Sequence, residues 1–118
     1  MRASRGEIKI EEILTKANLN FQEEYSFPDL VAESGRPLRF DFAVFDDDGN
    51  IDFLIEFQGI QHYQPKSKFG GAKGLARQKY NDNKKRKYCM IHGYTLVTIP
   101  YWEESFVDYD YILKAAGY

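Results

Sequence analysis

A single cysteine, Cys89, stands in a chain of 118 residues. One thiol cannot close an internal disulfide or build a zinc site of paired thiolates, and it points to a reducing, cytoplasmic setting. Long apolar runs are missing too. Nothing approaches the ~20 consecutive apolar residues that span a bilayer, and the opening stretch MRASRGEIKIEEIL is too charged for a secretory leader. The expectation is a soluble, unexported protein with no membrane partner. Proline is limited to four residues, and the chain holds neither an internal repeat nor a low-complexity tract. What is plentiful excludes disorder: nine Phe and nine Tyr, in a composition 43% hydrophobic and 16% aromatic. This length supports one core and not two, so residues 1–118 read as a single domain.

The formal net charge of −2 conceals an asymmetry. Residues 1–63 carry 6 Lys/Arg against 13 Asp/Glu, residues 64–88 carry 9 against 1, and residues 89–118 carry 1 against 4. The basic side chains of the middle segment are Lys66, Lys68, Lys73, Arg77, Lys79, Lys84, Lys85, Arg86 and Lys87. A partner meets the local field and not the sum, so an acidic average does not argue against a polyanion. A solvated lysine-rich helix face accounts for the same run equally well.

Residues 5–19 place Ile10, Ile13, Leu14 and Ala17 at helical spacing, with Ser4 and Glu7 spaced as a capping box. FQEEYSF, residues 21–27, alternates Phe21, Glu23, Tyr25 and Phe27 on one face of a short edge strand that Pro28 closes. LRFDFAVF, the turn DDDGN and IDFLIEFQ follow as a hairpin. Residues 64–74, with one Pro and three Gly, read as a flexible loop. Residues 75–92 read as a helix with Leu75, Tyr80, Tyr88, Cys89 and Ile91 as buried points, ended by Gly93. YTLVTIPY is a further strand, and SFVDYDYILKAAG a closing helix that buries Phe106, Tyr109, Ile112 and Leu113. A hairpin followed by a helical crossover to another strand implies a mixed sheet with helices packed on its faces, an α/β (α+β) chain in the order α-β-β-β-α-β-α.

The hairpin holds the chemistry. Strict alternation puts Phe40, Phe42 and Val44 on one face with Arg39, Asp41 and Ala43 on the other, and in the next strand Asp52, Leu54, Glu56 and Gln58 share a face. Asp41 and Glu56 can then lie on the same side of paired strands. A symmetric hairpin sets position 41 near 55, and a bulge would correct the offset of one. Adjacent carboxylates in an apolar run cost desolvation and repulsion unless a cation sits between them. Two carboxylates, a carbonyl and waters suit Mg²⁺ or a similar hard ion.

LRFDFAVFDDDGNIDFLIEFQGIQHY, with a Glu on the preceding helix, resembles the PD-(D/E)XK nuclease superfamily, in the branch similar to very-short-patch repair and EDxHD homing endonucleases. The likeness extends over most of the chain, and QKYNDNKKRKYC looks like the helix these proteins place after the active site. The resemblance implies a restriction-endonuclease-like core and a metal-dependent endodeoxyribonuclease that leaves 5′-phosphate and 3′-hydroxyl ends. By the same resemblance, Asp41, Glu56 and the carbonyl of Phe57 bind Mg²⁺, with Mn²⁺ as its substitute. His62 acts in proton transfer or in stabilising the scissile phosphate, Glu7 is the first, helix-borne acid, and Asp82 the last. DNA is the implied partner and monomer or homodimer the implied state. Phages and mobile elements often encode small nucleases of this kind, which would place such a protein in the host cytoplasm. Position 58 is Gln where the superfamily has Lys, leaving the positive charge to His62 or Lys85.

Each residue has a plainer role open to it. Glu7 can be a capping-box residue, Asp82 a counter-charge to Lys85 or Arg86, and His62 a partner of a loop carbonyl. His92 fits a helix C-terminal partner, Tyr101 and Trp102 a core or rim, and Cys89 a buried small hydrophobe. Two rival functions remain: a catalytically inactive DNA-binding module with the nuclease fold, favoured by Gln58, and a protein-interaction domain that uses the acidic first half.

Overall fold

A computed structural model describes residues 4–118. The elements in chain order are α1 (Arg5–Lys16), β1 (Asn20–Val31), β2 (Pro37–Phe45), β3 (Ile51–Gln58), α2 (Gly71–His92), β4 (Leu96–Pro100) and α3 (Tyr109–Ala115), with short 3₁₀ turns at Ile60–His62, Ser67–Phe69 and Tyr101–Phe106. The expected order is therefore present. The four strands form one mixed sheet, β1-β2-β3-β4, antiparallel except for the parallel β3/β4 pair that α2 connects.

Two apolar layers follow from the alternation along β3. Phe53, Ile55 and Phe57 pack with Ile10 and Leu14 of α1, Val97 and Ile99 of β4, and Val107 and Ile112 at α3. Leu54 points to the other face, where Ala43, Phe40, Phe27 and Cys89 of α2 form the second cluster. Glu56 shares that second face and is buried with the rest of the strand. Helices thus cover both sides of the sheet, which explains why β3 is nearly continuous in apolar side chains.

Strict alternation fails at one level of β1 and β2. The β1/β2 pairing runs from Asn20↔Phe45 to Ser26↔Arg39 and omits the Glu24–Asp41 level, where Glu24 has a φ of 52°. Phe21, Phe42 and Val44 on one side of this kink pack with α1, whereas Tyr25, Phe27, Leu38 and Phe40 beyond it pack with α2. The sequence reading, which placed Phe21 with Tyr25 and Phe40 with Phe42, is corrected here. A non-glycine residue in left-handed backbone turns the strand over, so side chains two apart emerge on opposite faces. Nor does Pro28 end the strand, since β1 continues to Val31 at the sheet edge, where a missing N–H costs no ladder bond.

Other expectations need correction. Residues 64–74 are not one open loop: the chain forms a 3₁₀ turn and enters α2 at Gly71, four residues early. Gly70, at φ 91°, makes the turn into the helix, and a Cβ on Gly74 would lie 1.8 Å from the Phe69 carbonyl oxygen. Tyr80 and Ile91 are exposed, because the buried stripe of α2 runs through Gly74, Lys85 and Cys89. The closing helix begins only at Tyr109, capped by Asp108, so Phe106 and Tyr109 face solvent while Val107 and Ile112 fill the core. Among the described residues, no helix is long and apolar enough to cross a membrane.

Candidate active site

The hairpin register decides where the acids meet. Phe42↔Ile55, Ala43↔Leu54 and Val44↔Phe53 pair in step, and the shift to Phe45↔Ile51 lies at the turn end. The offset of one is therefore corrected by an irregularity beside the turn and not beside the acids. Continued past Phe42, this register brings Asp41 opposite Glu56. There the Phe57 backbone N–H donates to Asp41 Oδ2 at 2.7 Å. The kink in β2 lets a side-chain oxygen occupy a place that a strand carbonyl would otherwise fill.

Glu56 is 4% exposed and its Oε1 accepts from Lys85 Nζ at 2.9 Å. Burial raises the Glu56 pKa above the usual carboxylate range; Lys85 opposes that rise and the charge of Asp82 adds to it. Burial also raises Asp41, to about 7, with the Glu56 charge as the second cause and Glu7 as a weaker one, against the Phe57 N–H and Lys85. Buried Glu56 and half-buried Asp41 thus stand against a single ammonium that pairs with Glu56, a surplus of negative charge that a cation would relieve.

His62 lies on the 3₁₀ turn just past β3 and is 9% exposed. Its Nδ1 meets Asp82 Oδ2 at 2.8 Å, and Gln78 Nε2 donates to the other oxygen, Asp82 Oδ1, at 3.1 Å. Asp82 therefore holds the histidine and makes no ion pair with Lys85 or Arg86 among the described residues. Its acceptor oxygen orients the ring with Nδ1–H toward the helix, which leaves Nε2 as the nitrogen free to exchange a proton. Gln58, at the end of β3, accepts from the Tyr63 hydroxyl at 2.6 Å. Glu56, Gln58, Asp82, Lys85 and Thr98 line one cleft of about 270 Å³.

Glu7 reaches this neighbourhood from the opposite layer. Ser4 caps α1 by accepting from the Glu7 N–H at 3.2 Å, and the Ser4 hydroxyl donates to Glu7 Oε1 at 3.1 Å. The capping geometry is present, and the same carboxylate is close enough to raise the Asp41 pKa. The close approach depends on Gly6, where a Cβ would fall 2.3 Å from the Phe57 ring.

The basic run divides. Lys66, Lys68, Lys73, Arg77, Lys79, Arg86 and Lys87 keep wholly or partly exposed side chains. Lys84 and Lys85, read in sequence as part of that same charged run, instead turn inward: Lys84 donates to the Val31 carbonyl and Lys85 to Glu56. Among the remaining aromatic residues, His92 lies tilted against Tyr88 with ring centroids 4.1 Å apart, and Trp102 lies exposed at the rim beside Tyr63. Sequence reading missed Gly6, Tyr63 and Gln78. Gln78 stands four residues before Asp82, a spacing that could have revealed it.

Among the described residues, no three or more His, Cys, Asp or Glu side chains gather as a metal-holding group. An ion at Asp41 and Glu56 would therefore take two carboxylates and complete its shell with carbonyl and water oxygens, a donor set that suits Mg²⁺. Comparison of the chain with protein-family models, curated proteins and solved structures returns no match.

Proposed function

We propose that this chain is a metal-dependent endodeoxyribonuclease with a PD-(D/E)XK-like core, acting on DNA phosphodiester bonds to give 5′-phosphate and 3′-hydroxyl ends. The observation that carries the reading is buried Glu56 beside half-buried Asp41 on neighbouring strands, with His62 fixed by Asp82 on the adjoining helix. Asp41, Glu56 and the Phe57 carbonyl would hold Mg²⁺ or Mn²⁺, which when bound supplies an acidified water and offsets phosphate charge.

The chain's own groups do the rest. His62 Nε2 is free to pass a proton to the leaving 3′ oxygen, and the Asp82 carboxylate steadies the charged ring that this exchange requires. Lys85 brings to Glu56 the ammonium that position 58 lacks, and Gln58, tied to Tyr63, offers its amide to a water or phosphate oxygen. The exposed part of the basic run would draw the phosphate backbone toward the cleft without reading sequence. One chain has one such site, so a monomer nicks a single strand and a homodimer is needed to cut both.

The second reading is a DNA-binding module that keeps this architecture without cleavage. Gln58 favours it, as does the Lys85–Glu56 pair, which already neutralises one carboxylate. A Mn²⁺-soaked crystal separates the two: anomalous density between Asp41 and Glu56 supports the enzyme, and its absence at saturating Mn²⁺ supports the binding module.

A further inference from the structure

A groove of about 550 Å³ lies apart from the acids. One wall is the turn after β1, with Ala32, Glu33 and Ser34. The other is the first half of α2, with Lys73, Ala76, Arg77, Tyr80 and Asn81. Both walls are firm. The turn is closed by Ala32 N–H to Arg36 O at 2.8 Å and Gly35 N–H to Ala32 O at 2.9 Å, and Lys84 ties its base to α2 through the Val31 carbonyl.

The lining has a definite chemistry. Tyr80 is 50% exposed, and among the described residues its ring stacks on no aromatic neighbour. Ala32 and Ala76 leave flat apolar space beside it. Lys73 and Arg77 bring two cations one helical turn apart, with no ion pair to Glu33 among the described residues. At 100° per residue, this stripe of α2 lies about 140° around the helix from the stripe of Gln78, Asp82 and Lys85 that faces the acids. A strand bound at His62 would reach the groove by wrapping around the helix.

We infer that this groove takes an unpaired nucleotide of the bound DNA, with its base stacked on Tyr80 between Ala32 and Ala76 and its phosphates on Lys73 and Arg77. The inference rests on the DNA-binding part of the function proposed above. Bases in a continuous duplex are stacked on one another and offer only their edges to a protein, whereas an unpaired base offers its face, and a pocket of small apolar side chains around an exposed ring accepts a face. The preferred substrate is then DNA with an unpaired nucleotide near the scissile bond.

The test is fluorescence anisotropy in EDTA with two probes, a fully paired duplex and the same duplex carrying a short thymidine bulge. The bulged probe should bind the wild-type chain about tenfold more tightly, the scale of one base–aromatic stack. Tyr80→Ala should bring the ratio of the two affinities close to one, and Tyr80→Phe should keep it. Ala76→Glu, which fills the groove with a carboxylate, should abolish the preference as Tyr80→Ala does; thermal melts check that each variant is folded. Equal wild-type affinities, or a preference that survives Tyr80→Ala, overturn the inference, and so does failure to bind either probe. EDTA separates this from the enzymatic reading: a preference in a protein that never cuts DNA keeps the groove and removes the nuclease, while cutting without any preference removes the groove alone.

Discussion

Lys85 Nζ stands 2.9 Å from Glu56 Oε1, and the pair joins α2 to the strand at the centre of the sheet with both side chains nearly closed to solvent. Removing one partner of such a pair leaves a buried charge without compensation, which costs about 3–5 kcal/mol. Lys85→Met should therefore destabilise the protein by about 3 kcal/mol near pH 8 in urea melts. The loss should shrink near pH 5, where Glu56 can take up a proton, because burial already raises its pKa. The double variant Glu56→Gln/Lys85→Met should recover most of the stability, and failure to do so would show that the helix contact and not the charge matters.

Asp41 gives a second pH signature. Its pKa stands at about 7 against an ordinary 3.8, with burial the larger cause and Glu56 the next. A folded-state value above the unfolded one means that the native form binds the proton more tightly. The stabilisation from this group is complete below about pH 4 and is lost as pH rises through about 7. In EDTA, the melting temperature should fall between pH 5.5 and 8 by more in the wild type than in Asp41→Asn. Added Mg²⁺ should reduce that fall, since an ion needs the ionised carboxylate that the rising pH supplies.

Gly6 lies in the first turn of α1 with its Cα against the Phe57 ring. Gly→Ala in an exposed helix interior stabilises by about 1 kcal/mol. Here the sign should reverse, with Gly6→Ala costing about 1–3 kcal/mol through overpacking. Thermal melts give the sign directly. Because the same contact carries Glu7 toward Asp41, DNA cleavage should fall further than the lost stability explains.

The histidine depends on a chain of three side chains, Gln78 to Asp82 to His62. His62→Ala should lower the cleavage rate by about 10²–10⁴-fold, the contribution expected of a positioned proton donor. Asp82→Asn should cost on the order of 10–100-fold and Gln78→Leu less, in that order, with DNA affinity unchanged in each. Single-turnover rates at saturating protein measure this; a loss confined to affinity would contradict it.

Much of this arrangement is legible in the sequence, because β3 alternates regularly and a period of two places Glu56 and Gln58 on one face whatever packs there. The turn DDDGN marks the hairpin through its own chemistry: Asp46 Oδ1 accepts from the Asp48 and Asn50 N–H groups and Gly49 takes a φ of 83°. The face change at Glu24 and Asp41 is not legible, since nothing in FQEEYSF requires a left-handed glutamate; the tertiary packing of Phe27 and Phe40 against α2 imposes it. The early start of α2 was hidden for a related reason. Glycine is a poor helix former, and Gly74 stands in the helix because only hydrogen fits against the Phe69 carbonyl. Lys85 could be named from sequence, beside His62, as a source of the charge missing at position 58, but helical phase and not composition sets which of the basic residues turns inward to Glu56.

The central claim is that Asp41 and Glu56 hold an ion with which this protein cuts DNA. The most direct measurement is incubation of supercoiled plasmid with the purified chain and Mg²⁺, alongside Asp41→Ala and an EDTA control. Conversion to open-circular plasmid that is lost in both controls is the predicted result. Cleavage that persists in both, or a plasmid left intact by wild-type protein that binds it, would contradict the account.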